Sequence, residues 1–354
     1  MMNKSDKPVS VLIVDDSAFM RKILLDIFKS DPEIKVVGVA KNGKEALEIA
    51  RWVNPEVITL DVEMPVMDGL TCLKLLLEQG RYLVIMVSSV TNEGAKATID
   101  ALAIGAIDFV TKPDNFFQIS ADEKKKELIE KVKMAKKAEL KSFTKKADIK
   151  KKQYTGKNTT EFNTIIAIGT STGGPKALQS VIPYLPGNLP AAIVIVQHMP
   201  KGFTHSLANR LNELSELTVK EAEDKEYLKS GVAYIAPGDR HLLLVEDMTG
   251  VIVRLDDSNQ VSGHRPSFDK TLHSMGCIER KNIIGVIMTG MGSDGSKGLK
   301  ELKEKKAISI IAQDEQTCVV YGMPRVAAKM GIVDQVIPLQ QIPEAILNLM
   351  GVQR

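Results

Sequence analysis

Thr164-Ile165-Ile166-Ala167-Ile168-Gly169-Thr170-Ser171-Thr172-Gly173 is an apolar run that ends on a turn of small residues. Its first five residues have the length and the branched side chains of a buried strand. Gly169 to Gly173 fits G-x-S-x-G, in which a strand-to-helix turn holds a serine hydroxyl exposed above the strand end. A serine placed there becomes a nucleophile when a histidine reaches it. The same five residues also suit a plain glycine-rich turn opening a helix, or a cradle for phosphate. The pentapeptide alone does not choose among these readings.

Working outward, strand-sized runs recur at Ala191–Val196, Val232–Ile235, His241–Val245, Ile283–Met288 and Ile308–Ala312. The N-terminal third alternates in the same way. Strands are predicted at Val9–Val14, Ile34–Val39, Val57–Leu60, Leu83–Val87 and Ala106–Val110. Between them lie helical stretches at Ser17 to Lys29, Lys44–Arg51, Leu70–Glu78 and Glu93–Ile104. Such alternation argues for α/β domains with doubly wound parallel sheets.

A chain of 354 residues is too long for one ordinary core, so two domains are expected. Between them, from Ala121 to Lys152, lysine dominates and apolar residues thin out. The start of this stretch suits a charged closing helix, and its end, near Lys141 to Asn158, a linker. The boundaries drawn are 8–125 for the first domain, 126–160 for the linker and 161–351 for the second domain. The lysines carry no aromatic stripe and are diluted by acids, which reads as a solvated face rather than a membrane or nucleic-acid surface. A net charge of +3 adds no case for nucleic acid. The apolar runs are far short of a membrane span, and Met1 to Pro8 has no apolar signal region. Cys72, Cys277 and Cys318 show neither metal spacing nor a disulfide framework, which points to a reducing cytoplasm.

In the first domain, Asp15 and Asp16 follow the first strand, Asp61 ends the third, Ser88 the fourth, and Lys112 follows the fifth. C-terminal strand ends of a doubly wound sheet converge on one crevice. Three carboxylates meeting there repel one another unless a hard cation such as Mg²⁺ is bound. A hydroxyl and an ammonium beside them suit the oxygens of a phosphoryl group, so phosphoryl transfer to an aspartate is the implied chemistry. Taken singly, Asp15-Asp16 would read as a helix cap and Lys112 as a surface lysine.

This set, with Val14-Asp15-Asp16-Ser17, Asp61 to Gly69, Val87-Ser88-Ser89 and Thr111-Lys112-Pro113, resembles the receiver domain of two-component response regulators. The resemblance implies a flavodoxin-like fold and phosphorylation of Asp61 by a histidine kinase. It implies that Asp15, Asp16, Asp61 and the Glu63 backbone carbonyl hold Mg²⁺, that Ser88 and Lys112 contact the phosphate, and that Phe109 is the aromatic switch position. It also implies a cis Lys112–Pro113 bond.

In the second domain a serine nucleophile needs a base and the base an orienter. His198 directly follows a buried-looking strand, and Asp294 lies in Thr289-Gly290-Met291-Gly292-Ser293-Asp294-Gly295 just past another. Ser171, His198 and Asp294 thus fall at or just beyond three strand ends. Glycines on both sides of Met291 make its N–H a candidate oxyanion donor. His205 and His273 lie on expected helices, His241 follows the Pro237-Gly238-Asp239 turn, and His264 is loop-borne and suited to a substrate groove. The order Ser, Asp, His fits poorly, because no histidine follows Asp294.

Ile168 to Gly174, Val196 to Pro200, Tyr234 to Asp239, His264 to Ser267, Thr289 to Gly295, Gln313 to Val319 and Gly322 to Arg325 resemble the catalytic domain of chemotaxis protein-glutamate methylesterases. The order receiver, linker, esterase matches CheB-type response regulators. The resemblance implies a Rossmann-like esterase domain with Ser171 as nucleophile, His198 as base and Asp294 as orienter. Met291, Thr172 and His264 fall at the oxyanion site and groove, and no cofactor is implied for ester hydrolysis. Expected partners are methyl-accepting chemoreceptors as substrate and the chemotaxis histidine kinase as phosphodonor, with no nucleic acid and no direct membrane insertion. Thr170 departs from the alanine common in the family, and a β-branched residue there would narrow the groove. The unphosphorylated receiver is expected to cover that groove. The competing class is a phosphorylation-controlled binding module with a catalytically inactive output domain.

Overall fold

The computed structural model describes residues 7–80, 82–112, 122–137 and 162–351. The chain divides into two compact units, Met1–Lys141 and Ser142–Arg354. In the first, β1 (Val9–Val14), β2 (Ile34–Ala40), β3 (Val57–Asp61), β4 (Leu83–Ser88) and β5 (Asp108–Thr111) form a parallel sheet in the order β2-β1-β3-β4-β5. Every residue of β3 and β4 is buried. Continuous apolar runs of this kind belong to parallel strands covered on both faces.

Four helices, Ala18–Lys29, Gly43–Val53, Gly69–Gln79 and Asn92–Ile104, begin behind Ser17, Asn42, Asp68 and Thr91. Each of these caps accepts a backbone N–H three residues further on. Such a cap contributes about 1 kcal/mol and fixes where the chain leaves the strand and turns back. The one tryptophan of the chain, Trp52, stands 89% exposed near the end of the second of these helices.

The lysine-rich helix Asp122–Lys137 packs Leu128, Val132 and Ala135 into the same core as Val9, Val11 and Phe28. The expected linker start at 126 therefore falls inside a helix of the first unit. Its apolar residues, spaced by four and three, form a narrow stripe that the surrounding lysines hide in any average of composition. The remainder of the expected linker, from 138, lies outside the described residues, as does Pro113 and with it the expected cis bond.

In the second unit, β6 (Thr164–Thr170), β7 (Ala191–Gln197), β8 (Thr218–Glu221) and β9 (Val232–Ile235) are followed by a hairpin of β10 (His241–Glu246) and β11 (Val251–Asp256). Then come β12 (Asn282–Ile287), β13 (Ser309–Gln313) and β14 (Gln335–Ile337). Seven of these strands make a parallel sheet in the order β14-β13-β12-β6-β7-β9-β8. The chain moves from β6 to one side through β7 and returns on the other side through β12. The crevice at β6 is thus the topological switch point of the sheet.

His241–Val245, expected among the alternating strands, instead pairs antiparallel with β11. The turn explains this: Asp247 accepts the N–H groups of Thr249 and Gly250 and closes a local hairpin that needs no crossover. Strands β8 and β14 were not anticipated, being short, mixed in polarity and placed at the two sheet edges. The helix Phe268–Met275 drives Phe268, Leu272 and Met275 into the core beside Ile165 and Ile287. No described helix is long and apolar enough to cross a membrane.

Candidate active site

The three strands at the switch point deliver the three expected residues. Ser171 follows β6 directly, and its N–H donates to Thr289 O at 3.0 Å, tying the serine turn to the segment behind β12. His198 follows β7, and its N–H donates to Thr170 O at 3.2 Å. Asp294 closes the turn after β12 and is buried.

His198 Nε2 lies 2.8 Å from Asp294 Oδ2. Asp294 also accepts from Ser267 Oγ at 2.8 Å, Phe268 N at 2.6 Å and Asp269 N at 3.0 Å. These groups open the helix Phe268–Met275, so the carboxylate sits at a helix N-terminus, where negative charge is favoured. Burial pushes the Asp294 pKa up, but the His198 hydrogen bond and charge, with the backbone donors, outweigh it and hold the carboxyl well below the usual range. Its neighbour Asp269 is pushed up to about 6, by burial first and then by the Asp294 charge.

A carboxylate only accepts, so His198 Nε2 carries the proton and Nδ1 the lone pair. Nδ1 is buried and has no hydrogen-bond partner. The His264 ring stacks on the His198 ring, with centroids 3.8 Å apart and planes 10° from parallel. That contact limits rotation of the base about its own axis.

Met291 lies beside the serine turn because Gly290 has no side chain. A Cβ on Gly290 would meet Ser171 Cβ at 2.8 Å and collide with Met323 Sδ. Gly290 N–H donates to Val320 O at 3.0 Å, and Gly290 O accepts from Gly322 N at 3.1 Å and Met323 N at 2.9 Å. Among the described residues the Met291 N–H has no acceptor. Thr172 is buried, and its carbonyl accepts from Thr289 Oγ1 at 2.9 Å.

Thr170 does not narrow a groove. It is fully buried and donates its hydroxyl to Gln197 Oε1 inside the protein. The remaining histidines lie outside this cluster. His205 and His273 sit on helices, exposed, facing Glu221 and Glu301. His241 is fully buried, accepts Ser267 N–H at Nδ1 and faces Asn259 O with Nε2. Burial holds its pKa below the usual histidine value.

The sequence reading did not single out Ser267 or Gln197. Ser267 had a signal, as a hydroxyl residue just before a helix. Gln197 had another, as the one polar residue ending the strand Ala-Ala-Ile-Val-Ile-Val.

In the first unit Asp15, Asp16 and Asp61 bring carboxylate oxygens within 4.8 Å of one another. Lys112 Nζ lies 2.6 Å from Asp61 Oδ2 and 3.2 Å from Asp15 Oδ2. Burial, then the Asp15 charge, push Asp61 up to about 6 against the pull of Lys112. Asp15 Oδ2 is buried at ion-pair distance from Lys112 yet accepts no hydrogen bond. One ammonium thus pairs with two of three clustered acids and leaves an orphan oxygen, an arrangement that fits a hard divalent cation. Ser88 turns its hydroxyl away, donating to Gly94 O at 3.1 Å. Phe109 is buried, with Lys131 of the closing helix 5.4 Å from its ring centre.

Such a fold and such sites define a two-unit α/β protein in which an acid crevice for phosphoryl chemistry is joined to a second doubly wound unit. Residues 166–346 match the family model described as CheB methylesterase, and residues 11–122 match the response regulator receiver domain. The chain belongs to the CheB methylesterase family. A protein-glutamate methylesterase/protein-glutamine glutaminase of Halalkalibacterium halodurans is 48% identical, over 96% of this chain and 98% of the relative. The protein of the same description from Thermotoga maritima is 46% identical, over 98% of this chain and 99% of its own length. The crystal structure of the Thermotoga maritima CheB methylesterase catalytic domain, 49% identical, covers 53% of this chain and 99% of that one, with a TM-score of 0.52.

Proposed function

We propose that this chain is a phosphorylation-regulated hydrolase that removes methyl esters from glutamates of methyl-accepting chemoreceptors and deamidates receptor glutamines. The observation that carries the reading is the 2.8 Å His198–Asp294 hydrogen bond beside the Ser171 turn at the switch point. Ser171 Oγ attacks the γ-carbonyl carbon while His198 takes the hydroxyl proton. The nitrogen for this is Nδ1, since Nε2 is committed to Asp294. Asp294 holds the tautomer and stabilises the imidazolium that forms. The developing oxyanion is met by the Met291 N–H. His198 returns the proton to the leaving oxygen, and methanol departs. Water, activated by the same histidine, then cleaves the acyl-enzyme and leaves a glutamate carboxylate. With a glutamine substrate the same steps release ammonia. Thr172 and His264 border the site, and the ester reaction needs no group beyond these residues and water.

In the receiver, Asp61 accepts the phosphoryl group from the chemotaxis histidine kinase. Asp15, Asp16, Asp61 and the Glu63 carbonyl would hold Mg²⁺, which when bound offsets charge on the phosphoryl oxygens. Lys112 binds one of those oxygens, and Ser88 reaches another by leaving Gly94 O. Phe109 is the residue whose environment changes with phosphorylation. Action in the cytoplasm accords with the free thiols of Cys72, Cys277 and Cys318. The test is methanol release from methyl-esterified chemoreceptor membranes, with and without Mg²⁺ and a small phosphodonor. Release should be lost in Ser171→Ala and lose its response to phosphodonor in Asp61→Asn. A wild-type chain inert under all these conditions would leave a binding module with a dead output domain.

A further inference from the structure

Strands β6 and β7 run paired as far as Thr170 and Gln197, and one backbone bond, His198 N–H to Thr170 O, follows. Beyond that point the ladder has ended, yet Ser171 and His198 must stay in register. The Gln197 side chain spans this gap. It is 2% exposed, and its Nε2 donates to Ser171 O at 3.0 Å and His198 O at 3.1 Å. Two carbonyls on one side demand the NH₂ end, which turns Oε1 toward the Thr170 hydroxyl. All the donors of this amide are used, as burial of a polar group requires. The helix that follows the serine makes room for it: a Cβ on Gly174 would collide with both Gln197 Oε1 and Thr170 Oγ1.

We infer that Gln197, oriented by Thr170, is a positioning residue that sets the separation of Ser171 and His198. The inference rests on the reading of these two as nucleophile and base. An apolar residue at 197 would fill the strand's core position equally well, but would leave the Ser171 and His198 carbonyls unlinked to each other, with Ser171 O keeping only the Gly174 N–H at 2.8 Å. A misplacement on the order of 1 Å between reacting groups costs about a hundredfold in rate. A buried amide whose partners are two backbone carbonyls and the Thr170 hydroxyl should act on the chemical step and leave receptor binding alone.

The experiment measures methanol release by the full-length chain against the concentration of methyl-esterified chemoreceptor membranes, for wild type, Gln197→Met, Thr170→Val and Ser171→Ala. In Gln197→Met, kcat should fall about a hundredfold with KM unchanged. Thr170→Val keeps the shape and removes only the hydroxyl that orients the amide, so kcat should fall about tenfold with KM unchanged. Circular dichroism verifies folding, and if Gln197→Met does not fold, Thr170→Val decides alone. Wild-type kcat in the folded variants, or a change confined to KM, overturns the inference while an inactive Ser171→Ala preserves the esterase reading. Release by Ser171→Ala at the wild-type rate overturns both.

Discussion

Asp294 does two jobs with one carboxylate. It holds the Nε2 proton of His198 and it caps the helix Phe268–Met275 through Ser267, Phe268 and Asp269. Asp294→Asn keeps an acceptor for the cap but favours the wrong histidine tautomer. The variant should fold, and kcat for methanol release should fall by about 10⁴. A rate within tenfold of wild type would remove Asp294 from the proposed mechanism. His241 yields a pH prediction. It is buried neutral, accepting at Nδ1 and facing a carbonyl with Nε2, and its pKa is held below the usual value. Below about pH 6.5 the unfolded chain takes up a proton that the folded chain refuses. This residue's contribution to stability is therefore present above that pH and lost as pH falls through the lowered folded pKa. His241→Asn should be less stable at pH 7 but lose stability less steeply on acidification, as read from urea midpoints at several pH values.

The central strands of the two parallel sheets were legible because parallel strands buried on both faces are continuous apolar runs. The placement of Asp15, Asp61, Ser171 and His198 at strand ends was legible for the same reason, since the strand fixes where its end lies. What escaped was carried by few side chains. Strands β8 and β14 have one covered edge each and little apolar content. A closing helix was expected at the start of the lysine stretch, but the helix Asp122–Lys137 buries only three apolar residues among lysines, so composition drew the linker from 126, inside it. Its weight can be measured. Leu128→Ala should cost the first unit about 2–5 kcal/mol, read from its urea transition. An unchanged midpoint would mean that this helix is an ornament of the receiver and not part of its core. The partners of His198 were only half legible: a turn motif brings Asp294 near, but which ring nitrogen faces it depends on the tertiary placement of the helix Phe268–Met275.

Each unit has a core of its own, and each assembles its site from its own stretch of chain. A fragment beginning at residue 142 should fold and release methanol, and its rate should be indifferent to Mg²⁺ and phosphodonor. A fragment that folds and is inert would show that the esterase site is completed by the first unit. Two cores also make a single free energy of unfolding undefined for the whole chain. Here the placement of Trp52 has an optical consequence. The chain's sole indole belongs to the first unit and faces water at 89% exposure. Its emission is accordingly blind to the melting of the esterase unit. A collisional quencher should darken it in the native protein almost as well as in the unfolded one. Fluorescence and circular dichroism recorded on one sample should therefore part company wherever the two units melt at different denaturant concentrations.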